Sequence, residues 1–164
     1  MKRFITLLFI FAATTFLFAQ ESATQEEPAQ KTAAEEVVPH DGDIVGLWKT
    51  IDDETGDPKS YVRIYEKDGF YFGVIDSLIR KPDEDPDPVC DKCDKDDPRY
   101  NQRVLGMTIL NDMEYDDGEY EEGTILDPKK GKVYDCKLWV ENGNLQVRGY
   151  ILFFYRTQEW FRVK

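Results

Sequence analysis

The sequence predicts an all-β fold: a small antiparallel up-and-down barrel of about eight strands, with one long disulfide-containing loop. Three observations carry that prediction. Glycine and aspartate clusters recur at short intervals, at "DDETGDP", "EKDG", "DDGEYEEG", "DPKKGK" and "ENGN". Between them lie short runs rich in Val, Ile, Tyr, Phe, Trp and Thr, the composition of strands bounded by turns. Helical periodicity is weak along the same stretch.

The elements follow in order. Met1-Lys2-Arg3 is a short basic segment, Phe4 to Phe18 carries no charge, and Ala19 precedes a polar switch at Gln20. An apolar run of about 15 residues falls short of the roughly 20 that span a bilayer as a helix, so residues 1–19 read as a cleaved signal peptide. Leu17, large for its place before the cut, leaves the cleavage site open by a few residues. Residues 20–43 are rich in Glu, Ala, Gln and Thr, with Val37 and Val38 as the larger aliphatics. Such a segment buries too little apolar surface to offset its chain entropy and reads as a disordered acidic spacer. Residues 44–164 then form a single β-barrel domain. Its strand-like runs are 44–51, 60–66, 70–79, 104–111, 119–126, 132–140, 145–154 and 157–163. Most links are hairpin-sized, so sequence neighbours pair antiparallel, and closure removes the exposed edges. The exception is 80–103, a long charged loop.

Composition excludes several functions. The formal net charge is −12, and −14 once Lys2 and Arg3 leave with the signal peptide. That balance argues against nucleic-acid partners and anionic membrane surfaces, whose binding rests on Lys and Arg. The one histidine, His40, lies in the spacer. A Ser-His-Asp or Cys-His arrangement and a histidine-rich zinc site are therefore not on offer. No nucleophile elbow or phosphate-cradling glycine loop is present. No catalytic residue, metal ligand or cofactor is assigned. Among the many carboxylates, Asp76 and Asp127 merit inspection, although Asp127-Pro128 followed by Gly131 has the chemistry of a turn.

The loop "PDEDPDPVCDKCDKDDPR" holds Cys90 and Cys93. Surrounding acids raise a thiol pKa, and the prolines disfavour the helix N-terminus on which a redox Cys-x-x-Cys depends. Two thiolates with Cys136 or Asp94 could hold zinc, and Asp83, Asp85 and Asp87 alternate as in calcium loops. Pro88, however, stands where a calcium loop needs glycine. The favoured reading is a structural Cys90–Cys93 disulfide formed after export, with Cys136 free or paired to one of them.

Strand alternation sorts side chains by face. Tyr134, Cys136, Leu138 and Val140 share one face; Leu145, Val147, Gly149 and Ile151 oppose Gln146, Arg148 and Tyr150; Gln158, Trp160 and Arg162 go together. Apolar burial places Leu145, Val147 and Ile151 inside. If the barrel instead holds a wet pocket, Trp48, Arg148, Tyr150, Gln158, Trp160 and Arg162 are the candidate ligand-binding residues, a polar and aromatic set suited to a small anion or polar lipid head group. The competing reading is an exterior ladder of cross-strand pairs.

Three stretches carry a resemblance: "GLWKTIDDETGDPKSYVRIYEKDGFYFGVI" (46–75), "CDKCDKDDPRYNQRVLGMTIL" (90–110) and "GTILDPKKGKVYDCKLWVENGNLQVRGYILFFYRTQEWFRV" (123–163). In this order they resemble the secreted bacterial family known as domain of unknown function 2147. The resemblance implies an exported, β-rich protein and no particular reaction. A weaker one runs to lipocalins, which open their first strand with Gly-x-Trp, as Gly46-Leu47-Trp48 does here. It implies a late arginine, Arg162 or Arg156, set against Trp48 at the barrel floor.

Together these readings point to an exported protein of the periplasm or extracellular space, without stable membrane insertion after signal cleavage. It binds a small molecule or an envelope protein partner without catalysis. The alternatives are a zinc, calcium or carboxylate-based activity of the 81–99 loop, and a structural or envelope-stress interaction protein.

Overall fold

The computed structural model describes residues 43–164. The predicted signal peptide, the spacer up to residue 42 and His40 lie outside the described residues. Eight strands run in chain order: β1 (Gly46–Ile51), β2 (Pro58–Lys67), β3 (Phe70–Leu78), β4 (Thr108–Asp116), β5 (Glu119–Asp127), β6 (Lys132–Glu141), β7 (Asn144–Ile151) and β8 (Phe154–Arg162). Each pairs antiparallel with the next, and β8 returns to β1 to close the barrel. Every edge is thereby paired, the solution to exposed strand edges that a chain of short hairpins can reach.

The two ends differ because their turns differ. At one end, Asp68-Gly69, Asp117-Gly118 and Asn142-Gly143 join β2 to β3, β4 to β5 and β6 to β7, with both residues at positive φ in each. Asp-Gly and Asn-Gly suit such two-residue loops, whose twist matches that of the strands they join. This end is the floor. Beneath the barrel axis it is filled by Trp48, Ile64, Leu110, Met113, Leu138 and Leu145, all fully buried. Gly123 helps that packing, since a Cβ there would overlap Met113 and the backbone of Asn111. At the opposite end the connections 52–57, 79–107 and 128–131 are longer, and the barrel opens. Apolar side chains face the inside while Lys49, Arg63, Lys137 and Arg148 stand on the outer wall, the reverse of an outer-membrane barrel.

Two expected boundaries move. The fourth strand is 108–116 rather than 104–111: Val104 and Met107 are apolar because they anchor the long loop, and both are buried there. The β7–β8 turn lies at Leu152-Phe153 rather than near 155–156, because Ile151 pairs with Phe154 and Tyr150 with Tyr155. No glycine, asparagine or aspartate marks that turn, so its composition reads as strand.

The long loop is ordered against the mouth. Val89 and Arg103 form an isolated bridge, Cys90 N–H donates to the Gln102 carbonyl at 2.9 Å, and Asn101 N–H donates to the Cys90 carbonyl at 3.0 Å. Arg99 grips Asp97 through two nitrogens at 2.9 and 2.7 Å and donates to the Thr108 carbonyl at 3.3 Å. Cys90 and Cys93 form the expected disulfide, and both are buried.

Candidate functional site

The open end leads into a basin of about 740 Å³, within the range of small-molecule sites. Its walls come from the mouth halves of most strands, with Val147 and Trp160 at its base. Ile75 and Leu78 on β3, Ile109 on β4, Ile125 on β5, Val147 on β7 and Trp160 on β8 supply apolar surface. Gly149, on the same face of β7 as Val147, leaves room: a Cβ there would only touch Tyr134 and Ile125. The long loop adds Pro88, Val89 and Val104, so the disulfide-bearing segment forms one wall of the basin. In the buried wall, the hydroxyls of Thr50 and Ser60 bond each other at 2.8 Å, and Thr50 also donates to the Ser60 carbonyl at 3.3 Å. Trp160 Nε1–H donates to Gln158 Oε1 at 3.2 Å. Polar atoms within the basin wall are thus satisfied, as burial requires.

Charges collect at the rim and tie its loops together. Lys129 of the β5–β6 turn lies 3.3 Å from Asp52 and 2.9 Å from Glu54 of the β1–β2 loop. Lys81 of the long loop lies 2.8 Å from Asp57. Arg156 approaches Asp53 at 3.1 Å, and Gln158 donates to the same carboxylate. Lys59 and Lys130 flank Asp127 at 3.9 and 3.8 Å. Burial alone would raise the Asp52 pKa; the Glu54 and Thr55 amides and Lys129 outweigh it and hold the carboxyl below its usual value. Lys129 lowers Glu54 as well, and Lys81 lowers Asp57. The basin is lined by seven lysines and arginines and six carboxylates, in a chain with 21 basic and 33 acidic residues. Relative to the rest of the protein, the mouth is enriched in positive charge.

The six candidate ligand residues divide into three groups. Gln158 and Trp160 line the basin. Trp48 and Arg162 lie below it at the floor, with the Arg162 guanidinium 4.2 Å from the Trp48 ring centre. Arg148 and Tyr150 are on the outer wall. Ile151 pairs with Phe154 across a two-residue loop, so even positions of β7 meet odd positions of β8: Arg148 faces Thr157, while Val147 faces Gln158. Arg148 lies between the rings of Trp139 and Tyr155, at 4.7 and 4.6 Å, and donates to Thr157 Oγ1 at 2.8 Å. The expectation of one shared face for Arg148, Tyr150, Gln158, Trp160 and Arg162 is corrected by that register, and the exterior-ladder reading holds for Arg148 and Tyr150. Sequence reasoning did not single out Val147, Gly149, Ile125, Tyr134 and Arg156 as site residues. The signal for Val147 and Gly149 was their alternation with Leu145.

The other sequence candidates have structural partners. Asp76 accepts from Arg63 Nε at 3.0 Å and from a terminal nitrogen at 2.8 Å. Asp127 receives the Lys129 amide on its side chain at 3.1 Å and the Gly131 amide on its carbonyl at 2.8 Å, as a turn aspartate does. Asp85 accepts the Asp87 amide at 2.9 Å, and Asp87 pairs with Arg103 at 2.8 Å. Among the described residues no three His, Cys, Asp or Glu side chains converge as a metal-ligating group. Cys90 and Cys93 are bonded to each other, and Cys136 is a buried free thiol whose pKa burial raises. No described helix is long and apolar enough to cross a membrane.

A family model described as "Uncharacterized protein conserved in bacteria (DUF2147)" matches residues 46–162. No curated protein matches the chain. Among solved structures, the barrel is similar to protein HP1028 from the human pathogen Helicobacter pylori, described as belonging to the lipocalin family. That similarity has a TM-score of 0.61 at 17% identity and covers 74% of this chain and 84% of the other. At that identity it shows the lipocalin-like fold.

Proposed function

We propose, for a chain that belongs to the bacterial family DUF2147, that the barrel is an exported, non-enzymatic binding protein that takes one small amphipathic molecule into its basin. The apolar body lies against Ile75, Ile109, Val147 and Trp160, and an anionic head meets the rim cations. The observation that carries this reading is the division of the barrel into a packed floor and a hollow apolar upper half capped by charge. A purely structural barrel gains by filling its interior, since unfilled volume forfeits packing. Arg156 and Lys59 stand where a carboxylate or phosphate would emerge, and displacing their present carboxylate partners exchanges one ion pair for another. Export is supported by the signal-like leader and by a disulfide, which persists in oxidising compartments.

The test uses a fluorescent fatty acid bearing a free carboxylate. One-to-one binding is expected, with energy transfer from Trp160, and Gly149→Leu should weaken it at least tenfold. Leucine at 149 projects into the basin, and its Cβ meets only ordinary contacts, so the fold should be kept. Binding equal in the wild type and Gly149→Leu would place the fatty acid elsewhere and remove this reading.

A further inference from the structure

Elsewhere on the described surface the exposed large apolar side chains, such as Phe70, Val89, Leu105 and Val133, are separate in sequence, but at one place they are consecutive. Ile151, Leu152, Phe153 and Phe154 form the tip of the β7–β8 hairpin, with 49%, 86%, 80% and 67% of their surface exposed. They are consecutive, so both faces of the ribbon are apolar. A docking patch for a folded partner needs one apolar face; a tip apolar all round suits immersion in an apolar medium. The backbone gives a second, independent sign. Leu152 has φ 55°, at a hairpin position where glycine is the ordinary occupant. Keeping a bulky side chain there costs local stability, and such strain marks functional segments. Beneath the tip, the Tyr150 and Tyr155 rings lie tilted at 6.0 Å between centres, with Trp139 across Arg148 from Tyr155. Amphipathic rings in that position suit the boundary between lipid chains and headgroups.

Local charge does not oppose that medium. From Arg148 to Thr157 the chain carries two arginines and no carboxylate, although it holds 33 acids in all. The opposite end presents exposed acids, including Asp68, Asp117, Glu122 and Glu141. The mouth end also carries exposed acids, among them Asp83, Asp85, Asp87 and Asp94 of the long loop, so the apolar tip, and not an overall field, sets the orientation.

We propose that the β7–β8 hairpin is a membrane-docking tip that inserts Leu152, Phe153 and Phe154 into the interface of a lipid bilayer. Arg148 and Arg156 stand at headgroup level. Because Gly149 and Arg156 also line the basin, docking brings the basin mouth to the lipid surface. The proposal does not depend on the occupant of the basin.

The experiment attaches an environment-sensitive fluorophore to Phe153→Cys or, at the floor end, to Glu141→Cys. Cys136 is buried and Cys90 and Cys93 are bonded, so the new thiol takes the label. Each protein is mixed with vesicles of phosphatidylcholine and phosphatidylglycerol. The label at 153 should shift to the blue and be quenched by spin labels near the headgroups, while that at 141 stays unchanged. Adding Leu152→Ser with Phe154→Ser should reduce vesicle binding at least tenfold, and Gly149→Leu should leave it intact. The proposal is overturned by no response at 153, by equal responses at both positions, or by a response that needs high protein concentration but no vesicles. The last result would make the tip a contact between two copies of the chain.

Discussion

Arg162 and Trp48 are direct cross-strand partners at the β1–β8 seam, and the guanidinium lies 4.2 Å above the indole ring. The same arginine donates to the carbonyls of Val45, at 3.3 Å, and Asp43, while Trp48 Nε1–H donates to the Ile44 carbonyl at 2.8 Å. One pair thus closes the barrel, stacks a cation on its floor and holds the segment leading into β1.

Arg162→Ala should therefore destabilise the barrel by about 3 kcal/mol, combining roughly 1 for the stack with the loss of hydrogen bonds to partly buried carbonyls. Arg162→Lys keeps the charge but not the planar fork, and should recover less than half of the loss. Urea denaturation followed by tryptophan fluorescence checks this, with an unchanged slope showing that the two-state comparison is sound. Equal stability of Arg162→Ala and the wild type would make the pair ornamental.

That pair was legible in the sequence because Gly46-Leu47-Trp48 resembles a known strand opening. The strand count was legible too, since Asp-Gly and Asn-Gly turns punctuate apolar runs. The site was less so. Which face of β8 lies inboard follows from its register with β7, and that register hangs on Leu152-Phe153, a turn without turn residues. Val104 and Met107 looked like strand because burial under a loop selects the same side chains as burial in a sheet. The rim ion pairs join residues far apart in sequence, such as Lys129 with Asp52, and only the closed barrel brings them together.

The Cys90–Cys93 bond closes a short ring, with a sequence separation of 3. A loop of that size constrains the unfolded chain by about 2 kcal/mol at most. Changing both residues to alanine should lower global stability by no more than that. The backbone amides of Cys90, Asn101 and Val104, which bond within the loop or to its base, should exchange hydrogen much faster. The measurement is residue-resolved hydrogen exchange. Unchanged protection there would show that Arg99–Asp97 and the buried Val104 and Met107 hold the loop alone.

Gly131 is where the β5–β6 turn meets that loop. It has φ 66°, and a Cβ would overlap the backbone carbonyl of Lys92. Gly131→Ala should thus cost about 2–4 kcal/mol through strain and displacement of the disulfide segment. Since Lys92 lines the basin, binding of the fluorescent fatty acid should weaken as well. Thermal unfolding and a binding titration on the same sample separate the two effects. A variant with wild-type unfolding and binding would mean that the two segments part without consequence.

Acid should open the rim before it unfolds the barrel. Asp52 accepts the amides of Glu54 at 2.9 Å and Thr55 at 3.2 Å and pairs with Lys129. Burial opposes its ionisation, yet these donors hold its pKa below the usual 3.8, and Lys129 holds Glu54 below 4.5. Folded values depressed below unfolded ones give a stabilisation that is complete above the unfolded values and is lost as pH falls through the folded ones. The contact between the β1–β2 loop and the β5–β6 turn should accordingly persist at neutral pH and fail as pH drops below 3.8. At that pH the floor, held by apolar packing around Trp48, should stay folded. NMR titration of the Asp52 carboxyl, read with the Glu54 and Thr55 amide shifts, tests this. Asp52→Asn, which keeps an acceptor but loses the charge, should flatten the transition. An inflection above 3.8, or loss of the tryptophan signal in the same step, would show that the rim and barrel yield together.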